Sequence, residues 1–173
     1  MSDWKSTLIV VSALGSGLIG GIFFAFSSFI MKALARVPPT HGIAVMQSIN
    51  VSVLNIWFFA VFFGTGACCL VLGISSLFRW EKPGAGYLLA GSVLYLIGTI
   101  IVTIACNVPL NDALAAVDPS SADAGRVWSD YLRKWTAWSH LRTGAALAAA
   151  ALFIVGLCRD ASPFDLLDPK RRP

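Results

Sequence analysis

Two histidines, one arginine and a small set of amides and indoles are the side chains of this sequence whose types and spacing could do chemistry. His41 and His140 are the only imidazoles among 173 residues. A neutral imidazole titrates near pH ~6.5, so either could act as a general base. The stretch "WSDYLRKWTAWSHLRT", residues 128–143, adds Trp128, Tyr131, Trp135, Trp138 and Arg142. On a helix turning about 100° per residue, these five fall within an arc of about 80°. They form either a wall facing a ligand or an interfacial aromatic belt with a snorkelling arginine. His140 points about 160° from the centre of that stripe, away from anything the stripe lines if the helix is regular. Asn107 and Asn111 stand four apart on one helical face. They either tie the segment to neighbouring backbone or bind a carbonyl or hydroxyl of a substrate. Gln47 and Asn50 share a face in the same way, with His41 roughly opposite Asn50. As an alternative chemistry, His41 and His140 could hold copper or iron together with an amide or a water. No Cys-x-x-Cys or other Cys/His metal spacing accompanies them, and the four cysteines read as packed thiols.

These residues must be positioned by membrane spans. Hydrophobic residues make up 57% and charged residues 13% of the chain, against roughly 45–50% and about 25% in soluble domains. Ser6–Met31, Val51–Phe78 and Ala85–Cys106 carry no charge over 26, 28 and 22 residues. Each is long enough to cross a bilayer. Gly144–Cys158 has only 15 residues and covers roughly 22 Å of the ~30 Å core. A fourth span must therefore recruit Ser139–Thr143, which puts His140 and Arg142 at the membrane edge. Spans are expected at about 6–33, 51–78, 85–106 and 139–158, in one membrane domain. The turn Arg79–Gly84 is short, whereas the opposite side carries cap segments 35–50 and 107–138. Each cap segment holds a short helix: the first runs into span two, and the second is begun by Asn107 and Pro109. A last helix starts at Arg126 and continues into span four. The fold class expected is all-α: an integral membrane four-helix bundle with helical insertions capping one side.

Composition also excludes function classes. A net charge of +4 is too small and too scattered for nucleic-acid binding. No span contains a carboxylate, which argues against a proton relay or an ion-coupled transporter. No ring of polar residues suggests a channel. Ala33-Leu34-Ala35 resembles a signal-peptidase site, but the apolar run before it is too long for a signal peptide. With four spans, seven basic residues fall on the side of the termini and six on the other. That split barely tilts the termini to the cytoplasmic face of a plasma (inner) membrane, with Lys170-Arg171-Arg172 as the densest cluster. Gly17-x-x-x-Gly21 suits close helix packing, and a homo-oligomer stays open.

Three segments carry a family resemblance. "HGIAVMQSIN" follows a Phe-rich first span, "NVPLNDALA" follows the third, and "W..Y...W..WSHLRT" opens the fourth. In order and placement they resemble the anthrone oxygenase family, over about residues 20–156. The resemblance implies a small four-span membrane protein that oxidises an anthrone to an anthraquinone with molecular oxygen and no added cofactor. By motif position it points to Gln47, Asn50, Asn107, Asn111, Trp135, Trp138, His140 and Arg142. Ser139 departs from the pattern, since members commonly carry Asn before the His. In such a site Trp135 and Trp138 would sandwich a flat ring system that enters from lipid. Arg142 or Asn107 would stabilise an enolate, and His140 or His41 would be the base. The expected partners are the bilayer and a small hydrophobic substrate such as an anthrone, phenol or ketone. The alternative is a non-catalytic membrane subunit whose cap docks a lipid, a quinone or a partner chain.

Overall fold

The computed structural model describes residues 3–160, so the Lys170–Arg172 cluster lies outside the described residues. Five helices follow one another. Four of them, α1 (Trp4–Leu34), α3 (Ile56–Leu77), α4 (Ala85–Ala115) and α5 (Ala124–Asp160), are long and apolar enough to cross a membrane. The fifth, α2 (Pro39–Ser52), is the insertion between the first two of these. The chain is an all-α membrane bundle. Outward-facing Trp57 and Trp138 mark one end of it, and Trp4 and Trp80 the other, as indoles at two interfaces would.

Two of the cap expectations are corrected. The first insertion does not run straight into the next span. Asn55 breaks the chain in extended conformation, and its Oδ1 accepts from the backbone N–H groups of Trp57 and Phe58 at 3.1 and 3.0 Å. That is an N-cap, and it separates α2 from the span that follows. The "NVPLNDALA" segment is not a separate helix but the last two turns of α4. A π-helical turn, Thr103–Asn107, precedes Pro109. There the i→i−4 ladder is already shifted, so the missing proline N–H no longer breaks the helix. The last helix, α5, has 37 residues and is ~55 Å long. It carries span four and the aromatic segment without interruption, and it begins two residues before Arg126.

Packing sorts into two cores. Ile9, Ile19, Leu72, Leu88, Tyr95 and Phe153 fill the membrane part of the bundle. Met31, Ile43, Met46, Leu114, Trp128 and Tyr131 fill the cap. Buried alanines let α5 lie close against its neighbours: Ala145 and Ala149 meet Gly98 and Gly91 of α4, while Ala146 meets Gly20 of α1. Gly20 belongs to that contact, since a Cβ there would sit 2.9 Å from Leu147. Gly17 and Gly21, by contrast, face open space, so close packing within the chain does not use that pair. At the far end Lys5 Nζ donates to Asp160 at 3.2 Å, and the other oxygen of Asp160 accepts from Gly84 N at 2.9 Å. This clamp joins α1, the tight turn and the end of α5.

Candidate functional site

Between the two cores lies a cavity of about 170 Å³, more than ten times the ~10–15 Å³ that admits one water. Phe23 and Phe26 of α1 and Phe58 and Phe62 of α3 supply an aromatic wall. Leu54, Phe59, Phe63, Ile104 and Val108 also line it and are themselves exposed. The cavity therefore opens sideways, between α3 and α4, towards the space that acyl chains occupy. Its polar end is formed by Asn50, Thr103, Asn107, Asn111, Trp135 and Arg142.

Local backbone chemistry produces this arrangement. π-helical turns at Phe26–Ile30 and Thr103–Asn107 border the cavity on two sides, and such turns re-aim side chains at functional sites. Hydroxyls occupy the carbonyls that a shifted ladder frees. Ser27 Oγ donates to Phe23 O at 2.9 Å, Ser28 Oγ to Phe24 O at 2.6 Å, and Thr103 Oγ1 to Thr99 O at 2.7 Å.

Arg142 is the central residue. It is 3% exposed. Its guanidinium carbon lies 4.0 Å from the centre of the Phe23 ring and 5.2 Å from that of Trp135. Nη1 donates to Thr103 Oγ1 and Nη2 to Ser139 Oγ, both at 3.2 Å, while Nε is buried without a partner. Ser139, the residue that departs from the family pattern, thus holds the guanidinium. Among the described residues no carboxylate pairs with Arg142. Two neutral hydroxyls and two aromatic faces offset only part of the cost of a buried cation. An anionic oxygen in the cavity would supply the rest.

The amides around it are set with defined polarity. Asn111 Oδ1 accepts from Tyr131 Oη at 2.9 Å and from Trp135 Nε1 at 2.8 Å. Trp135 is therefore fixed at the cavity wall, and the Asn111 side-chain N–H groups are free to face inwards. Asn107 Nδ2 donates to Trp135 O at 3.3 Å, leaving its Oδ1 buried without a partner. Asn50 Nδ2 is likewise buried and unpaired. Orphaned buried polar atoms are rare in folded proteins and call for a partner that completes them.

The remaining residues singled out from the sequence lie elsewhere. Gln47 Nε2 donates to Leu114 O and Val117 O, both at 2.9 Å, and so caps the end of α4. Trp128 stacks on Tyr131 at 5.6 Å and covers Gly42, while Tyr131 stands behind the cavity lining, bonded to Asn111 and beside Asn50. Trp138 is 40% exposed and does not line the cavity with Trp135, because it sits about 60° round the helix from it. His41 is exposed at the first turn of α2. His140 is exposed on the outer side of α5, in a groove that His41 does not line. Neither histidine is on the cavity wall. No three His, Cys, Asp or Glu side chains cluster among the described residues.

Two parts of the site were not read from the sequence. One is the phenylalanine wall, Phe23 and Phe26 of α1 with Phe58-Phe59…Phe62-Phe63 of α3, where on α3 the i, i+4 spacing was a usable signal. The other is Thr103, which continues the Asn107–Asn111 face one turn further.

A family model described as anthrone oxygenase matches residues 57–152. It spans Thr103, Asn107, Asn111, Trp135, Ser139 and Arg142, while the α1 and α2 walls lie outside the match. No curated protein and no solved structure matches the chain.

Proposed function

The chain belongs to the anthrone oxygenase family, and from that premise we propose that the cavity oxidises a flat, lipid-soluble anthrone, phenol or ketone with molecular oxygen. The observation that carries this reading is Arg142, a buried cation without a carboxylate partner at the polar end of an aromatic cavity. A tricyclic ketone enters sideways from the bilayer and lies between the phenylalanine wall and Trp135. Its carbonyl oxygen faces Arg142 and the Asn50 amide, both with unused N–H groups. Loss of a proton from the activated CH₂ turns that oxygen into an enolate, which the guanidinium stabilises.

No His, Asp, Glu or Lys lines the cavity. In this mechanism the proton leaves to water, and Arg142 supplies the driving force by stabilising the enolate and so making the bound substrate a stronger acid. The carbanion then reduces O₂ as a C–O bond forms, giving a peroxide that takes a proton from water. Loss of the second C–H proton breaks the O–O bond and leaves a carbonyl and hydroxide. The net change is CH₂ plus O₂ to C=O plus H₂O, which balances without a further reductant.

The test is oxygen uptake and anthraquinone formation by the detergent-purified protein supplied with an anthrone. Turnover that persists in His41→Ala and His140→Ala supports the reading. Turnover lost in either variant restores an imidazole base. Anthrone that binds without oxygen uptake makes the cavity that of a binding protein.

A further inference from the structure

On the outside of α5, Ser129, Arg133, Thr136 and His140 are spaced four, three and four apart. They fall within about 60° of one another, roughly 130° round the helix from Trp135 and about 150° from Arg142. With Lys32 at the end of α1 they line an open groove of about 460 Å³, floored by Met31 and Leu132. Its chemistry differs from that of the cavity. Two fixed positive charges and an imidazole share the walls with three hydroxyls, of which Ser27 is already bonded to its own helix, and no carboxylate is among the lining residues. Asp130, outside the lining, takes part of the charge of Arg133 at 3.0 Å and lies 3.9 Å from Lys134. Lys32 has no ion-pair partner among the described residues.

Depth identifies the occupant. Thr136 and His140 lie two residues either side of Trp138, about 3 Å along the axis in each direction. Trp138 is the outward-facing indole of α5 at the cap-side interface, where headgroups sit. The groove is thus at the level of lipid phosphates, beside helices whose exposed faces are apolar. We propose that it binds the headgroup of an anionic glycerophospholipid of the surrounding leaflet. Lys32 and Arg133 meet the phosphate, His140 donates a hydrogen bond to it, and Ser129 and Thr136 meet the glycerol hydroxyls. Phosphatidylcholine, whose choline adds a positive charge to the same phosphate, is disfavoured there.

The test is native mass spectrometry of the full chain released from nanodiscs containing equal phosphatidylglycerol and phosphatidylcholine, with lipid retention compared between variants. An attraction of this kind is about five-fold per basic residue. The wild type should retain phosphatidylglycerol preferentially, and Lys32→Gln/Arg133→Gln should lower that preference about 20- to 30-fold. A charge-matched control, Arg36→Gln/Arg79→Gln, lies outside the groove and should keep it. Unchanged melting in a zwitterionic detergent shows that the groove variant is folded. No preference in the wild type, its survival in the groove variant, or equal loss in the control would each overturn the proposal. Competition by added glycerol phosphate without a lipid tail would reassign the site to a soluble anion and overturn it as well.

Discussion

Arg142 sits where stability and function oppose each other. Replacing it with Met removes a buried, unpaired cation and keeps most of the apolar stem, so the melting temperature should stay level or rise. Activity should fall by about 10²–10³, the usual cost of losing one oxyanion donor. A thermal melt beside an oxygen electrode trace reads both. Asn111 separates in the other direction. Asn111→Leu strands the Tyr131 hydroxyl and the Trp135 indole N–H, at about 1–3 kcal/mol for each buried donor left unpaired, and should lower the melting temperature. Asn111→Asp keeps both acceptor contacts but sets a carboxylate near Arg142, so it should fold and lose anion binding. Titration with an anthraquinone-type phenolate would show the difference. At this scale the sequence was legible where identity alone carried the message. Asn107, Asn111, Trp135 and Arg142 were read as candidates and do line one cavity. The histidines drew attention because imidazole is the usual base; the outward phase of His140 was legible from helix periodicity, whereas the exposure of His41 depends on neighbours that composition does not reveal.

Elements decide which of those side chains meet. The cap exists because α2 supplies Met46, Ile49 and Asn50 to the cavity wall, and α2 packs on α5 where Gly42 lets the Trp128 ring approach. A Cβ at Gly42 would stand 2.8 Å from Trp128 Cε2. Gly42→Ala should therefore cost about 1–3 kcal/mol through overpacking, visible as an earlier melt and altered tryptophan fluorescence. Cavity residues themselves would be untouched by that change. The spans were readable from charge-free runs of 22 to 28 residues, and the need of the short fourth run for Ser139–Thr143 follows from length alone. The π-helical turns were not readable, because serine and threonine occur throughout ordinary helices, and only the structure shows Ser27, Ser28 and Thr103 bonded to carbonyls beside a shifted ladder. That shift carries α4 through Pro109, the residue that made a separate cap helix look necessary.

The whole molecule is held at its two ends by different means: aromatic packing and amide bonds under the cap, and a buried ion pair at the other end. Lys5 and Asp160 side chains are 3% and 6% exposed, far from the cavity residues in sequence and in core. Lys5→Met leaves an uncompensated buried carboxylate and should destabilise by about 3–5 kcal/mol. Adding Asp160→Asn, which keeps an acceptor for Gly84 N, should restore most of the loss on a thermal melt. Charge is thus spent structurally at one end and, at the other, left open for a ligand. The central claim is that this open charge, and not an imidazole, drives the reaction. Its most direct test is the rate of oxygen consumption at saturating anthrone for wild type, Arg142→Met and His140→Ala in one preparation. The account predicts a fall of about 10²–10³ for Arg142→Met and an unchanged rate for His140→Ala. A wild-type rate in Arg142→Met, or a rate abolished in His140→Ala, would contradict it.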